Sequence, residues 1–365
     1  MTSLAPTPRR GATPTGRGRR TVTRWAGVAG TLAAVLLLNG LAWAQGLDDF
    51  LIRAGESVAV VSAELERSDA QRALARVESD PLALRPEIVQ ARQRAELAEV
   101  EATEALLAAY GEVAASWARV REAELQVALA TASRDLAERQ LEIAQLRQER
   151  GSATVLDVQS AATDLLDAER ALQGARDGAF LARADLGGVT GLEVEATESL
   201  DRSRFERLRP PDGDELLALA LRVPAVLRLQ HAVELADLGA SLLDPSFASR
   251  RQIDDARLQQ EQATAGEREA RRGITLRARS LANALVSALE GDRIAQEALA
   301  NAREREDVER RRLEAGLIAE IAFEGVRLQT LQVELQAVQA EHAVVEAALA
   351  LQAGILTPLE GWHGL

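Results

Sequence analysis

Two stretches of this chain, 146–192 and 311–356, carry one pattern. The first opens on Arg147-Gln148-Glu149-Arg150-Gly151 and the second on Arg312-Leu313-Glu314-Ala315-Gly316, both R-x-E-x-G and 165 residues apart. Every third or fourth residue from Val158 to Leu186 is then Val, Ala or Leu. The same offset places an equivalent seam from Phe323 to Leu351, with Thr330 its only polar member. Steps of three and four held this long specify helices packed in coiled-coil fashion. A constant offset over such a span reads as an internal duplication.

Composition narrows the class. The chain has 365 residues, is 47% hydrophobic and only 3% aromatic, and carries a formal charge of −13. Ala, Leu, Glu, Arg and Gln dominate, all strong helix formers. All basic side chains are Arg, and no cysteine is present, which excludes disulfides and thiolate metal sites. Such a chain buries Ala and Leu between helices and has few large side chains for a compact enzyme core.

The first 44 residues read as a targeting segment. Six arginines from Arg9 to Arg24 precede an apolar run, Trp25–Leu41, and Ala42-Trp43-Ala44 forms an A-x-A cleavage site before Gln45. An uncleaved anchor is the alternative, since about 20 apolar residues can span a bilayer. Removal of 1–44 takes the formal charge from −13 to −19. An exported acidic protein is a poor candidate for nucleic acid.

The remainder reads as helix throughout. One helix is expected over Leu47–Ser79, stopped by Asp80-Pro81, and a long one over Glu87–Arg150 with a seam at Ile88, Ala91, Ala95, Ala98 and Ala102. Gly151–Thr154 is a turn with a hydroxyl N-cap candidate, and a third helix runs to Gly187-Gly188. After a linker, Gly191–Gly213, the cycle repeats. Short helices cover Asp214–Arg222 and a segment from Pro224 to Asp244, a long helix runs from Arg250 to Ala315, and a last one continues to about Ala353. The resulting divisions are 1–44, a first repeat 45–192, a linker 193–213, a second repeat 214–356 and a tail 357–365. The short helices together match the long one, so they stack end to end beside it, with the linker near mid-height. Such a strip is too narrow to enclose a core alone. The last helix carries a second seam, Leu328, Leu331, Leu335, Val338, Val345 and Leu349. That second face asks for a partner, which argues for self-association.

The export signal, the ordered short-long-short helices, and the R-x-E-x-G turns leading into Val155-Leu156-Asp157-Val158-Gln159 and Ile318-Ala319-Glu320-Ile321 resemble the TolC family of outer-membrane efflux ducts. The resemblance spans about 47–356. It implies an all-α, antiparallel coiled-coil protomer, a homotrimer forming a periplasmic tunnel, and glycine turns that face a periplasmic adaptor and an inner-membrane transporter. In that family a β-hairpin follows the first short helix of each repeat. Here Asp80–Pro86 and Asp244–Arg250 hold seven residues each, and a membrane strand needs roughly 9–11. The tunnel is expected without the barrel.

Candidate sites follow from the resemblance. Asp157, Glu320 and Glu324 lie just beyond the turns, where a trimer would form carboxylate rings that favour cations; the alternative is a solvated acid at a helix start. Gly151, Ser152, Gly316 and Leu317 are the adaptor-contact candidates, or simple hairpin closures. Enzyme chemistry is not expected: His231, His342 and His363 are far apart, His342 lies beside an apolar seam and reads as packed, and no phosphate loop, metal spacing or cofactor motif stands out. Two functions remain, an efflux-duct component and a structural coiled-coil protein of the envelope without transport activity.

Overall fold

The computed structural model describes residues 46–357 and 359, except 195, 196, 201 and 245 and the side chain at 204. The targeting segment expected at 1–44, Pro245 and His363 lie outside the described residues. Those described form helices α1 (Leu47–Ala54), α2 (Val58–Ser79), α3 (Arg85–Glu149), α4 (Val155–Thr190), α5 (Ser203–Arg207), α6 (Gly213–Ala220), α7 (Pro224–Ser241), α8 (Arg250–Glu314) and α9 (Glu320–Ile355), with no strand element among them. Helices α3 and α8 have 65 residues each, and α4 and α9 have 36 each. At 1.5 Å per residue the long helices span roughly 98 Å.

Cross-helix pairs fix the topology. Glu78 on α2 pairs with Arg92 on α3 at 3.4 Å, and Asp185 on α4 with Arg119 at 2.7 Å, so α2 and α4 cover successive lengths of α3. On its other flank α3 meets α7 through Gln93–Glu234 at 2.6 Å, and α9 through Glu122–His342 at 2.9 Å and Arg139–Glu320 at 2.9 Å. Helix α8 closes the strip, bound to α7 by Gln260–Asp237 at 2.7 Å and to α9 by Arg303–Glu334 at 2.9 Å. Both long helices therefore run the same way. The Gly151 and Gly316 turns share one end, and the connections at Asp80 and Asp244 share the other.

Local chemistry sets each boundary. Gly151 and Gly316 adopt φ +74° and +68°, a left-handed conformation that lets a helix end without Cβ strain. In both, the next residue's N–H returns to the carbonyl five back, Ser152 to Arg147 and Leu317 to Arg312, each at 2.8 Å. Asp80 Oδ1 accepts the Leu82 N–H at 2.9 Å and Asp244 Oδ1 accepts the Ser246 N–H at 2.7 Å, closing the opposite connections as Asx turns.

Three expectations need correction. The stretch Leu47–Ser79 is two helices, because the chain turns at Gly55–Ser57 and the Ser57 hydroxyl caps Val60 N–H at 3.4 Å. The linker is not bare: it forms α5 and buries Phe205 and Leu208. With Phe50 and Leu51 of α1, Trp117 and Val120 of α3, Leu186, Leu285 and Leu351, these residues build a small core at mid-height, so the strip does enclose one. Finally, the second seam of the last helix has its partner within the chain. Helix α9 lies between α3 and α8, and both its seams are buried or half-buried. The large apolar side chains left exposed lie elsewhere, on α1, α2, α3, α4 and α8 and in the connecting turns.

Candidate functional site

The end formed by Gly151 and Gly316 gathers every candidate residue. Gly151, Ser152, Gly316 and Leu317 are all exposed there, and no side chain or backbone atom of the described residues lies within 4 Å of where a Cβ would sit on either glycine. Asp157 is exposed in the first turn of α4 and tied to its own helix start. Its Oδ2 accepts the Thr154 N–H at 2.7 Å and the Thr154 hydroxyl at 2.8 Å, while Thr154 Oγ1 accepts the Asp157 N–H at 3.2 Å. The backbone N–H, seconded by the hydroxyl, holds the Asp157 carboxyl below its ordinary 3.8. It remains ionised across the neutral range while capping α4.

Glu320 and Glu324 are one turn apart at the start of α9 and face α3, where Arg139 meets both. Arg139 Nη1 lies 2.9 Å from Glu320 Oε2, and Nε lies 2.6 Å from Glu324 Oε1. Glu324 is the more enclosed, with 19% of its side chain exposed against 58% for Glu320. Its Oε2 is buried without a hydrogen-bond partner among the described residues. Burial pushes the Glu324 carboxyl above its ordinary 4.5, and Arg139 only partly opposes this. Asp157 sits apart from this triad, because α4 and α9 pack on different flanks of α3. Within one copy the turn end thus carries one capping acid and one cation-bridged carboxylate pair.

Arg139 was not among the residues singled out from sequence, nor was a second polar assembly at mid-height. There Glu122 Oε1 lies 2.9 Å from Nδ1 of His342, which is buried edge-on to the Trp117 ring with centroids 5.4 Å apart. The His342 contact, ahead of the opposing effect of burial, holds Glu122 below its ordinary 4.5. Nearby, Arg202 of the linker bridges Asp292 on α8 and Glu341 on α9, the latter at 3.3 Å. Burial raises Glu341 above its ordinary value although Arg202 pulls it down. The linker is also strapped to α3, since Thr197 accepts from Arg121 at 3.2 Å and its hydroxyl donates to Glu124 at 3.1 Å. These groups lock elements together. His342 is packed, as its place beside the seam implied, and His231 pairs with Glu96 at 3.2 Å, away from it. No group of three or more His, Asp or Glu among the described residues is arranged to hold a metal ion.

No family model matches the chain, and no curated protein matches it by sequence. Solved structures do. CusC aligns over 85% of this chain and 95% of its own, with a TM-score of 0.62 at 13% identity. A membrane protein from Pseudomonas aeruginosa aligns over 85% of this chain and 93% of its own, at TM-score 0.60 and 13% identity. The outer membrane protein VceC of Vibrio cholerae aligns over 86% and 96%, at 0.59 and 14%. The likeness is one of fold: the helical strip is similar in architecture to these TolC-type channel structures.

Proposed function

We propose that this protein is a duct component of an envelope efflux or export system, working with a periplasmic adaptor and an inner-membrane transporter. The observation that carries this reading is the strip itself, with paired long helices ending level at two exposed glycine turns. On this reading residues 45–192 and 214–356 are tandem halves of one protomer, exported through the segment 1–44. Three copies close a helical tunnel, the number three coming from the channel fold. Two uncovered edges favour such closure. Helix α8 exposes Leu276, Val286 and Ile294 along one edge, while α4 exposes Leu166 and Leu181 and α2 exposes Leu65 along the other. Edges that differ in this way suit head-to-tail packing into a ring. Passage through the tunnel is passive, driven from the transporter end, with Asp157, Glu320 and Glu324 setting the charge of the mouth.

The chain has no native cysteine, so single cysteines report cleanly. Ser152→Cys and Leu317→Cys should crosslink to a co-expressed adaptor, while Gln126→Cys, exposed within α3 well back from the turn, should not. Equal yields at all three would move docking away from the turn end. The second reading, a structural coiled-coil protein without transport, is favoured by the connections at Asp80 and Asp244, which hold no strand among their described residues. Failure to co-purify with any adaptor would support it.

A further inference from the structure

Helices α3 and α9 face each other at mid-height through small side chains, which leave room between them. Ala108, Gly111 and Ala115 on α3 and Ala343, Ala350 and Ala353 on α9 line an open groove of about 500 Å³. Small-molecule sites occupy roughly 300–1,000 Å³, with mostly apolar walls and a few polar groups. A Cβ added at Gly111 would meet nothing within 4 Å, so the opening reaches the α3 backbone.

The polar groups on its wall are mostly acceptors. Glu122 Oε1 lies 2.9 Å from His342 Nδ1, and its Oε2 accepts from Gln339 Nε2 at 3.5 Å. The His342 contact holds Glu122 below its ordinary 4.5, so it is ionised at neutral pH. Glu346, also on the wall, is exposed and has no ion pair among the described residues. The cations at this level are engaged elsewhere. Arg119 reaches Asp185 on α4, on the other flank of α3, at 2.7 Å. Arg121 donates to the Thr197 carbonyl at 3.2 Å, and Arg202 bridges Asp292 and Glu341. Helix α8, with its arginines, lies beyond α9. His342 and Trp117 also line the groove, 7% and 1% exposed, and His342 Nε2 and Trp117 Nε1 lack a partner among the described residues. Buried polar groups are normally paired, so this wall holds hydrogen-bonding capacity that the chain leaves unused. With Nδ1–H given to Glu122, Nε2 of neutral His342 is one more acceptor.

We propose that this groove binds a small amphipathic amine, its apolar body on the alanine-lined walls and its ammonium group against Glu122 and Glu346. The apolar walls supply affinity through buried area, and the two carboxylates select the charge. An anion of the same shape is repelled, and a neutral molecule gains only the apolar contact. The site lies within one copy of the chain. It depends neither on an adaptor nor on assembly, so it stands or falls apart from the duct reading.

The test titrates the full chain with dansylcadaverine, a naphthalene sulfonamide that ends in a protonated amine. Its emission should shift to the blue and saturate. Dansylaminohexanoate, the same body ending in a carboxylate, should bind roughly tenfold more weakly. Gly111→Leu and Ala343→Leu fill the groove from either helix, the first where a Cβ has room and the second at an exposed position. Each should abolish the shift while circular dichroism stays helical. Gly174→Leu, exposed on α4 and outside the groove, should leave binding intact. Glu346→Gln should narrow the preference for amine over carboxylate roughly threefold. The proposal is overturned if the unaltered chain gives no saturable shift, or if amine and carboxylate bind alike. It is equally overturned if either filling variant keeps the affinity, which would assign binding to another apolar surface, or if Gly174→Leu loses binding as they do.

Discussion

Arg139 Nε lies 2.6 Å from Glu324 Oε1, and this contact ties the first long helix to the start of the last one. Arg139→Gln should leave global stability within about 1 kcal/mol, because Arg139 and Glu320 are largely solvated and exposed ion pairs contribute little. The local effect should be larger. Amide exchange around 320–324 should accelerate, and the Glu324 carboxyl, already raised by burial, should titrate higher still by NMR. An unchanged Glu324 titration would show that Arg139 is not its principal partner.

Glu122 and Glu341 should respond to pH with opposite signs. Glu122 is held below its ordinary value by His342, so its contribution is present above about pH 4.5 and is lost as pH falls through the folded-state value. Glu341 is raised by burial, so its ionisation costs stability as pH rises through 4.5 and above. Urea unfolding at pH 7 should therefore find Glu122→Gln destabilised by about 1 kcal/mol. Glu341→Gln, which still offers Arg202 an acceptor, should be neutral or more stable. Both differences should shrink toward pH 4.

Gly151→Ala and Gly316→Ala should each cost about 1–2 kcal/mol, from backbone conformation alone, since an added methyl meets nothing within 4 Å. Gly174→Ala, inside α4 and equally free of contacts, should instead gain up to about 1 kcal/mol. Thermal unfolding of the three variants separates the two effects. The same sign at 151 and 174 would refute the assignment of strain to the turn.

Self-association should run through the edges of the strip. Val286→Arg with Ile294→Arg on α8 should reduce the oligomer seen by sedimentation while helical content is retained. A stable monomer of the unaltered protein at micromolar concentration would contradict assembly altogether.

The helices, their order and the turn end were readable because heptad steps and left-handed glycines are local features. Ala91, Ala95 and Ala102, picked from spacing alone, are buried, and Thr330 is buried within its seam, its hydroxyl returned to the Val326 carbonyl at 3.2 Å. Pairing across the two halves was not readable. Periodicity says that α9 has two apolar faces but not that α3 lies against one of them, so Arg139 could not be matched with Glu320 and Glu324, nor Glu122 with His342. The ties of the linker to the helices were missed for a related reason. Arg202 and Thr197 acquire meaning only from Asp292, Glu341 and Glu124, on helices far off in sequence.

The equal lengths of α3 and α8 restrict how such a protein can change size. Each long helix is matched along its flank by shorter ones that return from the same turn. A seven-residue insertion in α3 alone would preserve its own seam yet push the Gly151 turn about 10 Å beyond Gly316. Keeping the two turns level requires equivalent insertions in α4, α8 and α9 as well. Lengthening is therefore a concerted event at four sites, and a relative of different reach should differ from this chain by whole heptads in all four helices together.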